Sequence, residues 1–83
     1  MPDLLTLGKR IMEGEGIEEM ELRSGKRERG VVRARRLFCQ LAIGRMGYLG
    51  AEVARYLGVT TSSVNRLAVS EKLGDLTKYF RLF

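Results

Sequence analysis

The stretch from Gly50 to Val69 leaves this chain little choice of fold. It reads Gly-Ala-Glu-Val-Ala-Arg-Tyr-Leu-Gly-Val-Thr-Thr-Ser-Ser-Val-Asn-Arg-Leu-Ala-Val. Val53 and Leu57 repeat at helical spacing before Gly58, and Val64 and Leu67 repeat at helical spacing after Thr60. Helices this short are marginal in water by themselves, so the pair has to bury a shared interior. Gly58 is suited to the left-handed conformation that ends the first helix and turns the chain. Ala54 is small enough to let the second helix come close. Val53, Leu57, Val59, Val64 and Leu67 then fill the core between them. The spacing predicts helices over 51–57 and 61–69.

The second helix carries the chemistry. Thr60 is a good N-cap, and behind it come short polar groups at Thr61, Ser62 and Ser63, then Asn65 and Arg66. A helix of this kind docks in the DNA major groove with its N-terminal residues at base edges. Threonine and serine suit any base, asparagine pairs bidentately with adenine, and arginine with guanine. Thr61, Ser62, Ser63, Asn65 and Arg66 are therefore the candidate base-reading residues. The bland alternative is a helical hairpin whose glycine merely ends a helix.

Charge is distributed unevenly along the 83 residues. The net charge is +5, but residues 3–22 hold six acids and two bases, whereas residues 23–36 hold seven bases against Glu28 alone. A +6 block within fourteen residues sets up a local potential suited to a polyanion. Lys26, Arg27, Arg29, Arg33 and Arg35, with Thr60, are the candidate phosphate-binding residues. Arg29, Arg33 and Arg36 lie three and four apart, which predicts a basic helix face beside a basic loop. The other reading of such a run is a solvated surface.

The remaining periodicities are helical, and no good strand pattern occurs. Leu4, Leu7 and Ile11 predict an amphipathic helix over 3–13, started by Pro2 and Asp3 and broken by Gly14 and Gly16. Gly8 should weaken it by about 1 kcal/mol relative to alanine. Ile17, Met20 and Leu22 predict one short helical turn, and residues 23–30 a loop. Ala34, Leu37, Phe38, Leu41 and Ala42 share a face of a helix over 31–46. Leu73, Leu76 and Phe80 predict a last helix over about 71–82, with Ser70 as its N-cap. The expected fold is a single all-α domain over 1–83, a small bundle of about five helices containing a helix-turn-helix.

The inventory argues against an enzyme. The chain has no histidine and one cysteine, so the ordinary zinc sites and Cys–His nucleophiles are absent, and neither metal nor cofactor is expected. Gly14-Glu15-Gly16 follows no strand and makes no phosphate-cradling loop. Glu18, Glu19 and Glu21 read as a solvated acidic stretch. Cys39, inside an apolar helical pattern, reads as a buried structural thiol. No apolar run approaches the roughly 18 residues that span a bilayer, so no membrane partner is expected. A lone cysteine and no charged, apolar leader at the start point to a reducing cytoplasm, with nucleoid association following from DNA binding.

Several of these stretches resemble one family. Ser24-Gly25-Lys26-Arg27-Glu28-Arg29, then Val31-Val32-Arg33-Ala34-Arg35-Arg36, a helix and the helix-turn-helix are similar to the C-terminal DNA-binding domain of the bacterial replication initiator DnaA. That domain also has a basic loop, and its long helix opens with Pro-Arg-Gln where this chain has Ala34-Arg35-Arg36. Thr60-Thr61-Ser62-Ser63 stands where the initiator has Asp-His-Thr-Thr. The wording of residues 50–66 more closely resembles the DnaA-like tail of some REP-associated tyrosine transposases. The resemblance spans about residues 4–69. It implies double-stranded DNA as partner and a role accessory to a transposase or another DNA-processing protein, with the catalytic domain in cis. Without histidine the chain cannot hold those transposases' metal site. A function of a different class, a helical protein-interaction or homodimerisation module, would use Leu73, Leu76, Phe80, Leu82 and Phe83 of the last helix.

Overall fold

The computed structural model describes residues 3–23, 28–70 and 79. Helix α1 (Leu4–Glu15) opens where the Asp3 carboxylate accepts the Thr6 N–H at 2.8 Å, a bond that holds the Asp3 carboxyl below its ordinary range. The helix runs past Gly14 and closes at Gly16 in the left-handed conformation. Gly14 therefore does not break it, contrary to the sequence expectation. Helix α2 (Glu19–Leu22) is one turn fixed by a capping box, in which Glu18 and Glu21 each accept the other's backbone N–H.

Helix α3 (Arg29–Gly44) starts two residues before the expected position and stops two residues earlier. After a turn come α4 (Gly50–Leu57) and α5 (Thr61–Val69). Among the described residues there are five helices and no strand. The expected last helix over 71–82 lies outside the described residues, save Tyr79, which is helical and buried. The candidate interaction residues Leu73, Leu76, Phe80, Leu82 and Phe83 likewise lie outside them.

Helix α3 packs against each of the other four. Its Val31 is buried, and its Ala34, Leu37, Phe38, Leu41 and Ala42 share one core with Leu7 and Ile11 of α1, Leu22 of α2, Val53 and Leu57 of α4 and Val64 of α5. Val59 and Leu67 pack against this core while partly exposed. Cys39 is buried and free, and burial pushes its thiol up to about 12, so it stays protonated. Its surroundings are those of a small apolar side chain.

One aromatic ring joins several elements. Tyr56 of α4 stacks on Phe38 of α3, with centroids 5.2 Å apart and planes 5° from parallel. The Arg23 guanidinium lies 4.8 Å from the Tyr56 centroid, and its Nε donates to the Tyr56 carbonyl at 2.6 Å. The Tyr56 hydroxyl is buried without a hydrogen-bond partner and stands where a side chain on Gly8 of α1 would go. Gly8 is thus required by close approach, which outweighs its poor helix propensity.

Two stability tests follow from these glycines. Gly58 has φ +73°, and a Cβ there would come within 3.2 Å of the Arg23 carbonyl oxygen. Gly58→Val is expected to cost about 1–3 kcal/mol, because a β-branched residue is strained in the left-handed region. A thermal melt unchanged from wild type would refute the turn. Gly8→Ala in an ordinary helix would gain about 1 kcal/mol. Here overpacking at about 1–3 kcal/mol wins, and the variant should be less stable than wild type. Tyr56→Phe removes an unpartnered buried hydroxyl and should be neutral or stabilising. The Gly8→Ala/Tyr56→Phe double variant should then recover much of the loss, a coupling readable in denaturant melts.

Candidate nucleic-acid interface

Helix α5 is held in place from behind and from its far end. Val64 is fully buried, and Thr60 accepts the Ser63 N–H at 3.1 Å to start the helix. At the other end the Gln40 amide of α3 donates to the carbonyls of Leu67 and Ser70 at 3.3 and 3.2 Å and to the Ser70 hydroxyl at 3.3 Å. The Ser70 hydroxyl in turn donates to the Leu67 carbonyl at 2.7 Å. These bonds satisfy carbonyls that the end of a helix would leave open. Gln40 was not singled out from sequence. Its signal there is a polar residue at a register that keeps company with Leu37, Phe38 and Leu41.

Anchored this way, α5 turns Thr61, Ser62, Asn65 and Arg66 to solvent, and Ser63 is half-buried. None of its nine residues is acidic. The backbone of α4 shapes this face. Gly50 opens α4, and a Cβ on it would collide with the Asn65 amide oxygen and lie 3.6 Å from the Thr61 methyl. The Asn65 side chain therefore rests over the start of α4, in space that only glycine leaves open.

The basic residues separate into different environments. Arg29 is exposed at the first turn of α3. Lys26 and Arg27 lie outside the described residues. Arg33 is half-buried, and its Nε donates to Glu15 at 3.1 Å; the second Glu15 oxygen accepts from the Tyr79 hydroxyl at 2.7 Å. Burial and that bond push the Tyr79 phenol well up, so it keeps its proton and remains a donor. Arg36 is half-buried too, with its Nε enclosed. The expected open basic face of Arg29, Arg33 and Arg36 is thus narrower than the spacing implied. Arg35 departs furthest from expectation. It is 6% exposed, set between α3 and α5 rather than on the surface.

No protein-family model, curated protein or solved structure matches this chain.

Among the described residues no group of three or more His, Cys, Asp or Glu side chains could hold a metal ion. No helix among them is long and apolar enough to cross a membrane.

The Gly50–Asn65 contact is testable directly. Gly50→Ala should displace the Asn65 amide while costing under about 1 kcal/mol, since an exposed side chain yields by changing rotamer. Side-chain amide NMR signals of Asn65 that do not move in this variant would show that Gly50 does not position it.

Proposed function

We propose that this chain binds double-stranded DNA with sequence preference, α5 lying in the major groove and Thr61, Ser62, Ser63, Asn65 and Arg66 at base edges. The observation that carries the reading is the outer face of α5. From Thr61 to Arg66 its exposed residues are short hydrogen-bonding groups and one arginine, without an acid, and the first of them stand at the positive end of a helix fixed by its buried side, while an exposed Val69 closes the far end. A helix that only packed would have no reason to keep this face free of carboxylates. Around it, Arg29 and the basic block it belongs to supply the phosphate contacts that set orientation without reading sequence.

The likeness to the DnaA C-terminal domain and to transposase tails extends the proposal. In that reading the chain is the accessory, non-catalytic DNA-binding part of a bacterial DNA-processing protein and works at the nucleoid. It uses no cofactor of its own.

Base-reading and phosphate-binding residues should differ in what they lose. Asn65→Ala and Arg66→Ala should each cost about 1–3 kcal/mol on a duplex selected from a random pool, and relax preference at one position. Arg27→Ala/Arg29→Ala should weaken selected and scrambled duplexes alike. With about four to five phosphates neutralised, the wild-type log–log salt slope lies near −4, and the double variant should be shallower by about two. Binding titrations across a salt series, with circular dichroism to verify folding, measure both. Wild-type preference in the α5 variants would overturn the docking, and an affinity for duplex insensitive to salt would overturn DNA binding itself.

A further inference from the structure

Arg35 occupies a place where an arginine is costly. It follows Val31 by four residues and precedes Cys39 by four, so the register of α3 drives it inward among buried neighbours. Its Nε and Nη2 are fully enclosed and have no hydrogen-bond partner, and the residue as a whole is 6% exposed. A buried charge without a partner is strongly unfavourable, and natural folds seldom keep one without a use. Burial lowers the guanidinium from its ordinary value, which is so high that the group stays charged at neutral pH. Cys39, the buried group beside it, is a neutral thiol and offers no counter-charge.

The space in front of Arg35 joins an apolar wall to a polar one. It opens on a cleft of about 550 Å³ between α3 and the start of α5, lined also by Val32, Val59, Thr60, Ser63, Arg66 and Leu67. None of these described lining residues is acidic. Arg66 brings a second cation. The Thr60 oxygen already accepts the Ser63 N–H, which leaves its own proton to be donated elsewhere, and the Ser63 hydroxyl is a further donor. The N-terminus of the nine-residue α5 adds the positive end of its dipole. Two arginines, two hydroxyl donors and a helix N-terminus share this cleft, and none of its described lining residues carries a negative charge. Such a set is matched by a tetrahedral oxyanion, which offers several acceptor oxygens and a charge.

We propose that this cleft is a built phosphate pocket, with Arg35 as its floor and Thr60 and Ser63 as its rim; the half-buried Ser63 then meets the phosphate rather than a base edge, and the exposed Arg66 adds its charge from the margin while its head stays free for the groove. Nε and Nη2 are closed to solvent as they stand, so the Arg35 head has to shift toward the cleft to meet the anion, while its stem stays packed. The source of the phosphate rests on the DNA reading above: one backbone phosphodiester seated here would fix where α5 sits along the groove. The pocket itself does not need that reading, since a free phosphate group presents the same oxygens.

The test has two arms. In the first, inorganic phosphate is titrated into the full chain against sodium chloride at matched ionic strength, followed by backbone amide NMR and thermal melts. Saturable shifts confined to residues 32–36 and 59–67, with a rise in melting temperature, are expected for wild type. Arg35→Met keeps the aliphatic stem and removes a buried unpaired charge, so it should fold at least as well as wild type and lose the saturable response. Ser63→Ala should keep the fold and weaken phosphate several-fold. Shifts identical to those in chloride, or an undiminished response in both variants, would overturn the pocket. In the second arm, a single methylphosphonate is walked along a selected duplex. One position should weaken wild type by tenfold or more and leave Arg35→Met unaffected, identifying the phosphodiester in the pocket. A saturable phosphate response without duplex binding keeps the pocket and sinks the DNA reading. Duplex binding with the same methylphosphonate profile in wild type and Arg35→Met, and no phosphate response, keeps DNA binding and sinks the pocket.

Discussion

The stacking of Tyr56 on Phe38 is the contact on which the arrangement of helices depends. Phe38 is fully buried at the middle of α3, the helix that every other one touches. Through Tyr56 it gains α4 on one side, the Gly8 backbone of α1 on another, and the Arg23 guanidinium at the end of α2. A four-residue helix such as α2 has no stability to speak of alone. Here it is tied down by Leu22 in the core and by Arg23 reaching over Tyr56 to its carbonyl oxygen. With α4 fixed by this ring, the left-handed turn at Gly58 sets where α5 begins, and Gln40 sets where it ends.

The charges of the chain are sorted by the same packing. The acidic first quarter does not simply repel the basic block. Glu15 pairs with Arg33, and Glu19 pairs with Arg23 at 3.2 Å. The Arg23 pair is exposed and contributes little. The Glu15 carboxylate is mostly buried, and it also receives the Tyr79 hydroxyl, so it joins α1, α3 and a residue 64 positions away. Two of the basic residues therefore serve the fold, while Arg35 and Arg66 line one cleft beside the start of α5.

How much of this is legible in the sequence depends on whether a residue acts through periodicity or through a single contact. The helices of the described region follow from apolar spacing, and Gly58 at the turn follows from its place between two repeats. Helix propensity does not account for Gly8 and Gly14, for a common reason. Propensity counts what glycine costs a helix, whereas the atoms that need the missing side chain, the hydroxyls of Tyr56 and Tyr79, come from distant parts of the chain. Residue type also hid Arg35. Its spacing from Val31 and Cys39 is that of a core position, but an arginine there is naturally assigned to the surface along with its neighbours. Gln40 was passed over in the same way. A polar residue at an apolar register is the signal that both carry.

The attachment of α5 divides its residues into two groups that need not change together. Val64, Leu67, the Thr60 cap and the bonds from Gln40 hold the helix, and none of them involves Thr61, Ser62 or Arg66. Substitutions at those three exposed positions therefore leave the bundle's own cohesion nearly untouched. A lineage carrying this fold could drift through many outer faces without passing through an unfolded intermediate sequence. Asn65 is the exception, because it shares space with Gly50. At that one position, novelty on the outer face and the identity of a residue in another helix are bound to evolve as a pair.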